Sequence, residues 1–339
     1  MSSPESNSSP SLSDALLISC LARVSRLYYP TLSLVSKSFR SLLASPELYK
    51  ARLLLDRTES CLYVCLKLRP SENPSWFTLC LKPDITLTYD TSNKKNSSGY
   101  VLAKVPIPHS PVKSSSLVAV GSNIYNIGGS RSPSSSVLIL DCTSHTWREA
   151  PSLRKKLMSI SASVLNRKIY VVGSCKDGDS DSLKNSYEVF DTETQIWDHV
   201  PSPYSETKHN FYSKSVCIDE KWHVLNNRAV VPYNTHIVRR NRVVVAYNPK
   251  KSKWNLVGSA NSDSMLSYDS QSHCEIKNVL YSVFNRRYSG TEFRWYDTEV
   301  RRWRKLEGLV GLPNLSLHAC VRLADYGGKM AVLWEENAL

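Results

Sequence analysis

Four times along the 339-residue chain an apolar residue is followed by Asp or Asn and then, six positions further on, by tryptophan. The copies are Leu140-Asp141 to Trp147, Phe190-Asp191 to Trp197, Tyr247-Asn248 to Trp254 and Tyr296-Asp297 to Trp303. A carboxylate beside an aromatic ring can be read as a reactive site. Repetition argues the other way, because catalysis needs one arrangement and architecture needs many. The Asp or Asn is expected to end a strand and accept backbone N–H groups in the following turn. The Trp is expected to open the next strand and pack its ring.

Other candidate chemistry is thin. Asp177, Asp179 and Asp181 alternate around Gly178 as in a calcium loop, but the glutamate required at the twelfth position is missing, so a solvated inter-strand loop is expected. Nine cysteines lie at irregular spacings, and no Cys/His set has zinc-ligand spacing. They read as free, mostly buried thiols of a reducing compartment. The eight histidines, among them His109, His145, His199 and His223, are scattered and read as surface or turn residues. No GxxxxGKS, HExxH or GxSxG motif is present. No catalytic, cofactor-binding or metal-binding residue is assigned, and no cofactor is expected.

The elements that carry the Asp/Asn–Trp pattern recur. The tryptophans lie 50, 57 and 49 residues apart. Kelch units run about 50 residues and WD40 units about 40–45, so the period favours kelch. Before each copy stands an apolar strand, a tight polar turn and a second apolar strand. The pairs are Leu117–Val120 with Ile124–Ile127, Ser163–Leu165 with Ile169–Val172, Val216–Ile218 with Trp222–Leu225, and Cys274–Ile276 with Val279–Val283. Period-2 apolar runs divided by polar turns read as strands, and four strands per repeat make a propeller blade. Gly128-Gly129 follows the first pair. The later copies have Gly173-Ser174, Asn226-Asn227 and Phe284-Asn285, where Asn is expected to hold the positive φ that glycine would supply.

The first sixty residues have helical spacing instead. Leu12, Leu16, Leu17, Cys20, Leu21 and Val24 share one face, with Ser11 or Ser13 as cap and Asp14 in the first turn. A second start at Pro30 is broken near residues 36–38. A third has Ser45 as cap, Pro46 as first residue and Glu47 in the first turn. So few short helices bury little surface, and such a unit needs a partner or a neighbouring domain. Residues 1–10 are rich in serine and proline and read as a disordered tail. The net charge of +13 is spread out with no recognition motif, so no nucleic acid is expected. No apolar run approaches the roughly 20 residues that span a bilayer, and no membrane association is expected.

The stretch from Ser11 to Tyr49, and VSKSFRSLLASPELY within it above all, resembles an F-box. The resemblance implies that residues 11–57 dock on a Skp-type adaptor, and through it on a cullin. Leu12, Leu16, Leu17, Leu21, Val24 and Phe39 would make that contact. Where the family has Leu-Pro, this chain has Leu12-Ser13. Together with the repeats, and with Cys61–Leu66, Trp76–Cys80 and Val118–Tyr125, the chain is similar to the plant F-box/kelch-repeat family over nearly its whole length. That implies a mostly β protein: a small helical F-box, then a kelch-type β-propeller over residues 58–339, of about six units with the last incomplete.

The resemblance also implies a function. The chain would be a non-enzymatic substrate receptor of an SCF-type ubiquitin ligase, in cytoplasm or nucleus, holding an unknown target protein on its propeller. A kelch scaffold outside any ligase is the alternative. Long connections, at residues 130–136, 174–186, 227–241 and 285–291 and between units at 153–158 and 204–212, are expected to share one face. They carry Arg131, Arg154, Lys155, Lys156, Arg228, Arg239, Arg240, Arg286 and Arg287, the residues expected to meet an acidic or polar target. The last strands, near Val321 and Val332, are expected to be poorly supported in a ring left open.

Overall fold

The structure, a computed structural model, describes residues 13–68, 73–81, 99–107, 116–128, 132–177, 180–203, 214–230, 239–259, 264–266, 270–286, 290–309, 311–312, 315 and 319–335. Two compact units divide the chain: residues 1–110 with 141–146, and residues 111–140 with 147–339.

The first unit opens with α1 (Asp14–Leu21), a 3-10 turn (Arg26–Tyr28), α2 (Tyr29–Leu32), α3 (Lys37–Leu43) and α4 (Pro46–Leu54). The starts fall where the residues dictate. Ser13 sits at the head of α1 with extended backbone, though its side chain makes no capping bond. Ser36 Oγ accepts the Phe39 N–H at 3.1 Å, which is why the second helical stretch breaks and restarts there. Ser45 Oγ accepts the Leu48 N–H at 3.3 Å, with Pro46 as first helical residue. Next comes an antiparallel sheet of β1 (Tyr63–Leu66), β2 (Ser75–Leu81) and β3 (Tyr100–Val105).

Four sheets of four antiparallel strands follow, each with its strands side by side in chain order. The first holds β4 (Leu117–Val120), β5 (Asn123–Ile127), β6 (Val137–Asp141) and β7 (Thr146–Glu149). The second holds β8 (Met158–Leu165), β9 (Lys168–Asp177), β10 (Ser180–Asp191) and β11 (Ile196–His199). The third holds β12 (Lys214–Ile218), β13 (Lys221–Val230), β14 (Arg239–Asn248) and β15 (Lys253–Ser259). The fourth holds β16 (Ser270–Ile276), β17 (Val279–Arg286), β18 (Gly290–Asp297) and β19 (Arg302–Lys305). A final pair, β20 (Val321–Tyr326) and β21 (Lys329–Trp334), ends the described chain. The protein is mostly β: short helices, then propeller blades. Five units have three or more strands, one fewer than the six expected.

Inside the second unit the core lies between blades. Val171, Leu157 and Phe190 pack against Tyr125, Ile127 and Ile139. Tyr170, Tyr187, Trp222 and Tyr247 fill the next gap, and Leu225, Leu280 and Phe284 the one after. The final pair corrects an expectation. Val321 and Leu323 are buried in a cluster with Val283, Phe293 and Ala319, so β20 is well supported. The first strands β4, β8, β12, β16 and β20 stand next to one another in that order. Side chains tie these neighbours together. Ser161 Oγ accepts the Ser215 N–H at 3.0 Å, Lys214 Nζ donates to the Ser270 carbonyl at 2.7 Å, and Ser272 Oγ accepts the Leu323 N–H at 3.1 Å.

The Asp/Asn–Trp pattern does what its residue types require. Asp141, Asp191, Asn248 and Asp297 each accept, through Oδ1, the backbone N–H groups two and three residues on. The fourth residue of each turn (His145, Gln195, Ser252 or Arg301) takes a positive φ. Three of the tryptophans then donate their indole N–H to the connection entering their own sheet: Trp197 to Pro151 at 2.8 Å, Trp254 to Pro201 at 2.6 Å and Trp303 to Ser264 at 2.8 Å.

Gly128 takes the positive φ expected of the first copy, but the later copies do not place it at the equivalent residues. Gly173-Ser174, Asn226-Asn227 and Phe284-Asn285 lie inside paired strands. The left-handed residues are instead the two-residue hairpin turns Asn166-Arg167, Asp219-Glu220 and Lys277-Asn278. Type I′ turns need φ > 0 at both central positions, and Asn and Asp tolerate it best. Gly173 remains for a different reason: a Cβ there would sit 3.0 Å from Leu157 Cβ and 3.2 Å from the Met158 carbonyl.

Of the histidines read as surface or turn residues, His145 does lie in a turn, while His223 is buried in β13. His223 is 5% exposed, and burial is the largest cause holding its pKa down at about 4. His145 is half-buried and its pKa is lowered, again chiefly by burial.

Two outcomes follow. Trp197→Phe keeps a ring but deprives the Pro151 carbonyl of its donor, so stability in urea should fall by about 1–3 kcal/mol. As pH drops below about 6.5 the unfolded chain protonates at position 223 while the folded chain does not. Stability should therefore fall between about pH 6.5 and 4, by up to about 3 kcal/mol from this residue alone. Denaturant midpoints measured from pH 7.5 to 4.5 should show it, and His223→Gln should flatten that part of the profile.

Candidate functional site

Two surfaces carry the residues singled out by sequence. In the helical unit, Leu21, Ala22, Leu43 and Leu48 form the core, with Ile18, Tyr29, Leu32, Phe39, Leu42 and Ala51 packed on it. Leu16 points away from that core and is 55% exposed. Leu21, expected on the docking face, is 4% exposed and belongs to the unit's own core, because α1 is only two turns long and its inward side must fill the unit. Leu17 and Val24 are half-buried, Phe39 likewise with its ring against the core, and Leu12 lies outside the described residues.

Further large apolar side chains stand open in this unit: Leu34, Val35, Leu53 and Leu54, the last 86% exposed. Periodicity missed Leu34, Leu53 and Leu54. Leu34-Val35 lie between helices, and Leu53-Leu54-Leu55 close α4 as a run of three that cannot all turn inward.

Charge organises what lies beneath. Arg52, 3% exposed, donates to the Val24 carbonyl at 2.7 Å and to Tyr29 Oη at 3.1 Å, and pairs with Glu59 at 3.3 Å. Glu59 also accepts the Arg26 N–H at 2.7 Å and the Ser25 hydroxyl at 3.3 Å. Arg26 lies over the Tyr49 ring, 5.1 Å from its centroid. One buried guanidinium and one carboxylate thus bind the loop after α1, the 3-10 turn and the chain leading to β1. In the same compact unit Tyr63 of β1 donates its hydroxyl to the Cys142 carbonyl at 3.1 Å and lies 2.9 Å from His145 Nε2.

The second surface is that of the cationic connections. Arg154, Lys155 and Lys156 are exposed between β7 and β8. The described residues of the supposed long loops at 174–186 and 227–241 are strand, since β9–β10 and β13–β14 continue as long hairpins. Arg228, Arg239 and Arg240 therefore lie in the β13–β14 ladder, where Arg228 pairs with Asn241, Ala229 with Arg240 and Val230 with Arg239. Arg286 ends β17 opposite Gly290, while Arg131 and Arg287 lie outside the described residues. Asp177 closes β9, opposite Ser180 of β10, and among the described residues no cluster of three or more His, Cys, Asp or Glu is placed to hold a metal.

Beneath the cationic run sits a residue the sequence did not flag. Glu188 of β10 is 1% exposed, and its carboxylate accepts the Arg154 N–H at 2.9 Å. Burial is the largest influence on it and raises its pKa, against the backbone N–H groups of Arg154 and Lys155. Its chain position, in a strand three residues before the Asp of the repeat, gave no sign of a carboxylate buried under a loop.

Comparison with known proteins bears on both surfaces. Residues 10–51 match the F-box domain, and residues 76–338 match the FKB95 Kelch-repeats domain. A putative F-box/kelch-repeat protein of Arabidopsis thaliana is 68% identical over 307 residues, 90% of this chain and 81% of the relative. A second F-box/kelch-repeat protein of that plant is 60% identical, covering 96% of this chain and 84% of the relative, and a third is 48% identical over 96% and 80%.

Replacing Arg52 by Met keeps the apolar stem but removes three polar contacts. The helical unit should lose about 2–3 kcal/mol. Hydrogen exchange should then speed up in α1 and α4 while the four-stranded sheets keep their protection.

Proposed function

The chain belongs to the F-box/kelch-repeat family, and we propose from this that it is the substrate receptor of an SCF-type ubiquitin ligase. The helical unit would hold a Skp-type adaptor and, through it, a cullin. The propeller would hold a target protein. The observation that carries the reading is the pairing of an F-box at residues 10–51 with kelch repeats over 76–338 in one chain. Exposed leucines on a small helical unit support it, because an open apolar side chain gains most from being covered by a partner.

On this reading the chain catalyses nothing itself. It raises the local concentration of target lysines at the ubiquitin-carrying subunit, and proximity is its physical contribution. The reading places the protein in the cytoplasm or nucleus, where its nine free thiols would stay reduced.

Leu16 gives a clean test. It is exposed, so Leu16→Asp leaves the helical core intact while placing a charge in the interface. Adaptor capture by the purified chain should fall about 30-fold or more, as for loss of a hot spot worth about 2 kcal/mol. Circular dichroism and the melting temperature should not move. Unchanged capture by a folded Leu16→Asp chain would count against the docking face. Leu21→Asp is a poor choice, since that side chain belongs to the core.

A further inference from the structure

We propose that the outer edge of β21 pairs, antiparallel and about a two-fold axis, with the same edge of a second copy of this chain. The proposal goes beyond the receptor reading and does not rest on it.

The strand is composed for the inside of a sheet. In each of the four full sheets the second strand is covered by a third: β5 by β6, β9 by β10, β13 by β14 and β17 by β18. β21 holds the same second place beside β20, and among the described residues no strand lies on its other side. Met330, Ala331, Val332 and Leu333 are only half-buried, and Trp334 is exposed. Proteins blunt a free edge with a central charge, a proline or a bulge. Residues 330–334 have none of these, and the pairing with β20 runs without a shift from Tyr326 opposite Lys329 to Val321 opposite Trp334.

The hairpin decides which backbone groups face outward. The Glu335 N–H donates to the Cys320 carbonyl at 3.3 Å. Hydrogen-bonded residues alternate along an antiparallel pair. Lys329, Ala331 and Leu333 therefore spend their backbone groups on β20, and Met330, Val332 and Trp334 turn theirs to the open edge. The side chains of these three share the face of Val321 and Leu323, which stand opposite Trp334 and Val332. Met330 and Val332 pack against the buried cluster that holds Val321 and Leu323.

One register satisfies backbone, apolar surface and charge together. With the axis on Val332, Met330 stands opposite Trp334 of the second copy, and Val332 opposite its own equivalent. All three residues are outward-facing, so the pairing makes about six backbone hydrogen bonds. Thioether against indole is a favourable contact. On the other face Ala331 meets Leu333 and Lys329 meets Glu335, in the pairs without hydrogen bonds, where side chains come closer. Lys329 and Glu335 are exposed, and neither is ion-paired among the described residues. Each end of the ladder thus sets a cation against a carboxylate. An axis on Ala331 would put Lys329 against Leu333, and one on Leu333 would put Glu335 against Ala331. The edge is complementary in charge to itself, and this names a second copy as its occupant. A contact of this kind uses the same edge on both copies and closes at two.

The test is sedimentation velocity of the full chain across the micromolar range, which should show a monomer–dimer equilibrium. Lys329→Glu and Glu335→Lys each set like charges opposite one another at both ends, so either should weaken self-association about tenfold. Mixed in equal amounts, the two variants should pair with each other as tightly as the wild type pairs with itself, because each supplies the charge the other lacks. Val332→Pro removes an N–H that faces only the open edge, a position where proline is tolerated. It should abolish the dimer and leave the far-ultraviolet circular dichroism unchanged. Should that variant fail to fold, the exposed charge variants carry the test. Hydrogen exchange at the Met330, Val332 and Trp334 amides should slow as concentration rises. A wild type that stays monomeric would overturn the proposal. So would charge variants that fail to rescue one another, or growth beyond the dimer. Edge amides equally protected at every concentration would overturn it too, since another segment of the same chain would then cover the edge.

Discussion

A sheet of four strands has two open edges, and the fold depends on how the inner one is satisfied. The first strand of each blade turns one row of backbone N–H and C=O groups toward the first strands of its neighbours. Those neighbours diverge and cannot form a ladder, yet unpaired backbone groups in such a place carry a heavy penalty. Short polar side chains resolve this. Ser161 reaches the Ser215 N–H, Ser272 reaches the Leu323 N–H, and Gln271 donates to the Ala319 carbonyl and accepts the Val321 N–H. Lys214 and His273 close two further carbonyls, those of Ser270 and Ser215. The serines of the first strands, which look out of place in a β-rich core, are the connectors between blades.

The outer edge is handled differently. There the fourth strand carries the repeat tryptophan, whose ring packs between blades while its N–H holds the connection that enters the same sheet. Trp254 packs within 5.1–5.6 Å of Tyr187, Trp222 and Tyr247 and still donates to the Pro201 carbonyl. One residue supplies large apolar area and a directional bond, which neither Phe nor Leu could do. The Asx turn before it sets the register that puts the ring there. That division of labour is why the pair is repeated and why it carries no chemistry.

Repetition made this much legible from sequence. A motif seen four times reveals its period, its turn chemistry and its role, and the blades follow. Helix caps such as Ser36 and Ser45 were legible for a local reason, since each bond spans three residues. What could not be read was anything set by contacts distant in the chain. Leu16 and Leu21 were grouped on one face, but residues five apart lie about 140° apart around a helix, and packing within the unit puts Leu21 in the core while Leu16 stays open. Asn226-Asn227 took the place of a double glycine, yet the β13–β14 pairing continues through it and the strained turn lies at Asp219-Glu220. Glu188 fell in a strand pattern, and its meaning came only from the loop folded over it, 34 positions earlier in the chain. The count of blades differs by one from the expected six because the last unit is only a two-stranded pair, which the period alone does not separate from a full blade.

The helical unit faces a conflict that its charged residues settle. It has about forty residues and leaves several leucines on the outside, so little apolar area remains to hold it together. Among the described residues, Leu21, Ala22, Leu43 and Leu48 make up its buried apolar core. A larger core would stabilise it only by drawing Leu16, Leu34 or Leu54 inward, which would remove the surface. Arg52 and Glu59 supply cohesion of another kind. The guanidinium satisfies a loop carbonyl and a tyrosine hydroxyl, and the carboxylate it pairs with gathers the 3-10 turn. Breaking a buried ionic group's contacts is costlier than losing a surface pair, so one well-placed arginine can do what several leucines would otherwise do. The apolar residues are thereby free to stay at the surface while the small unit keeps its fold.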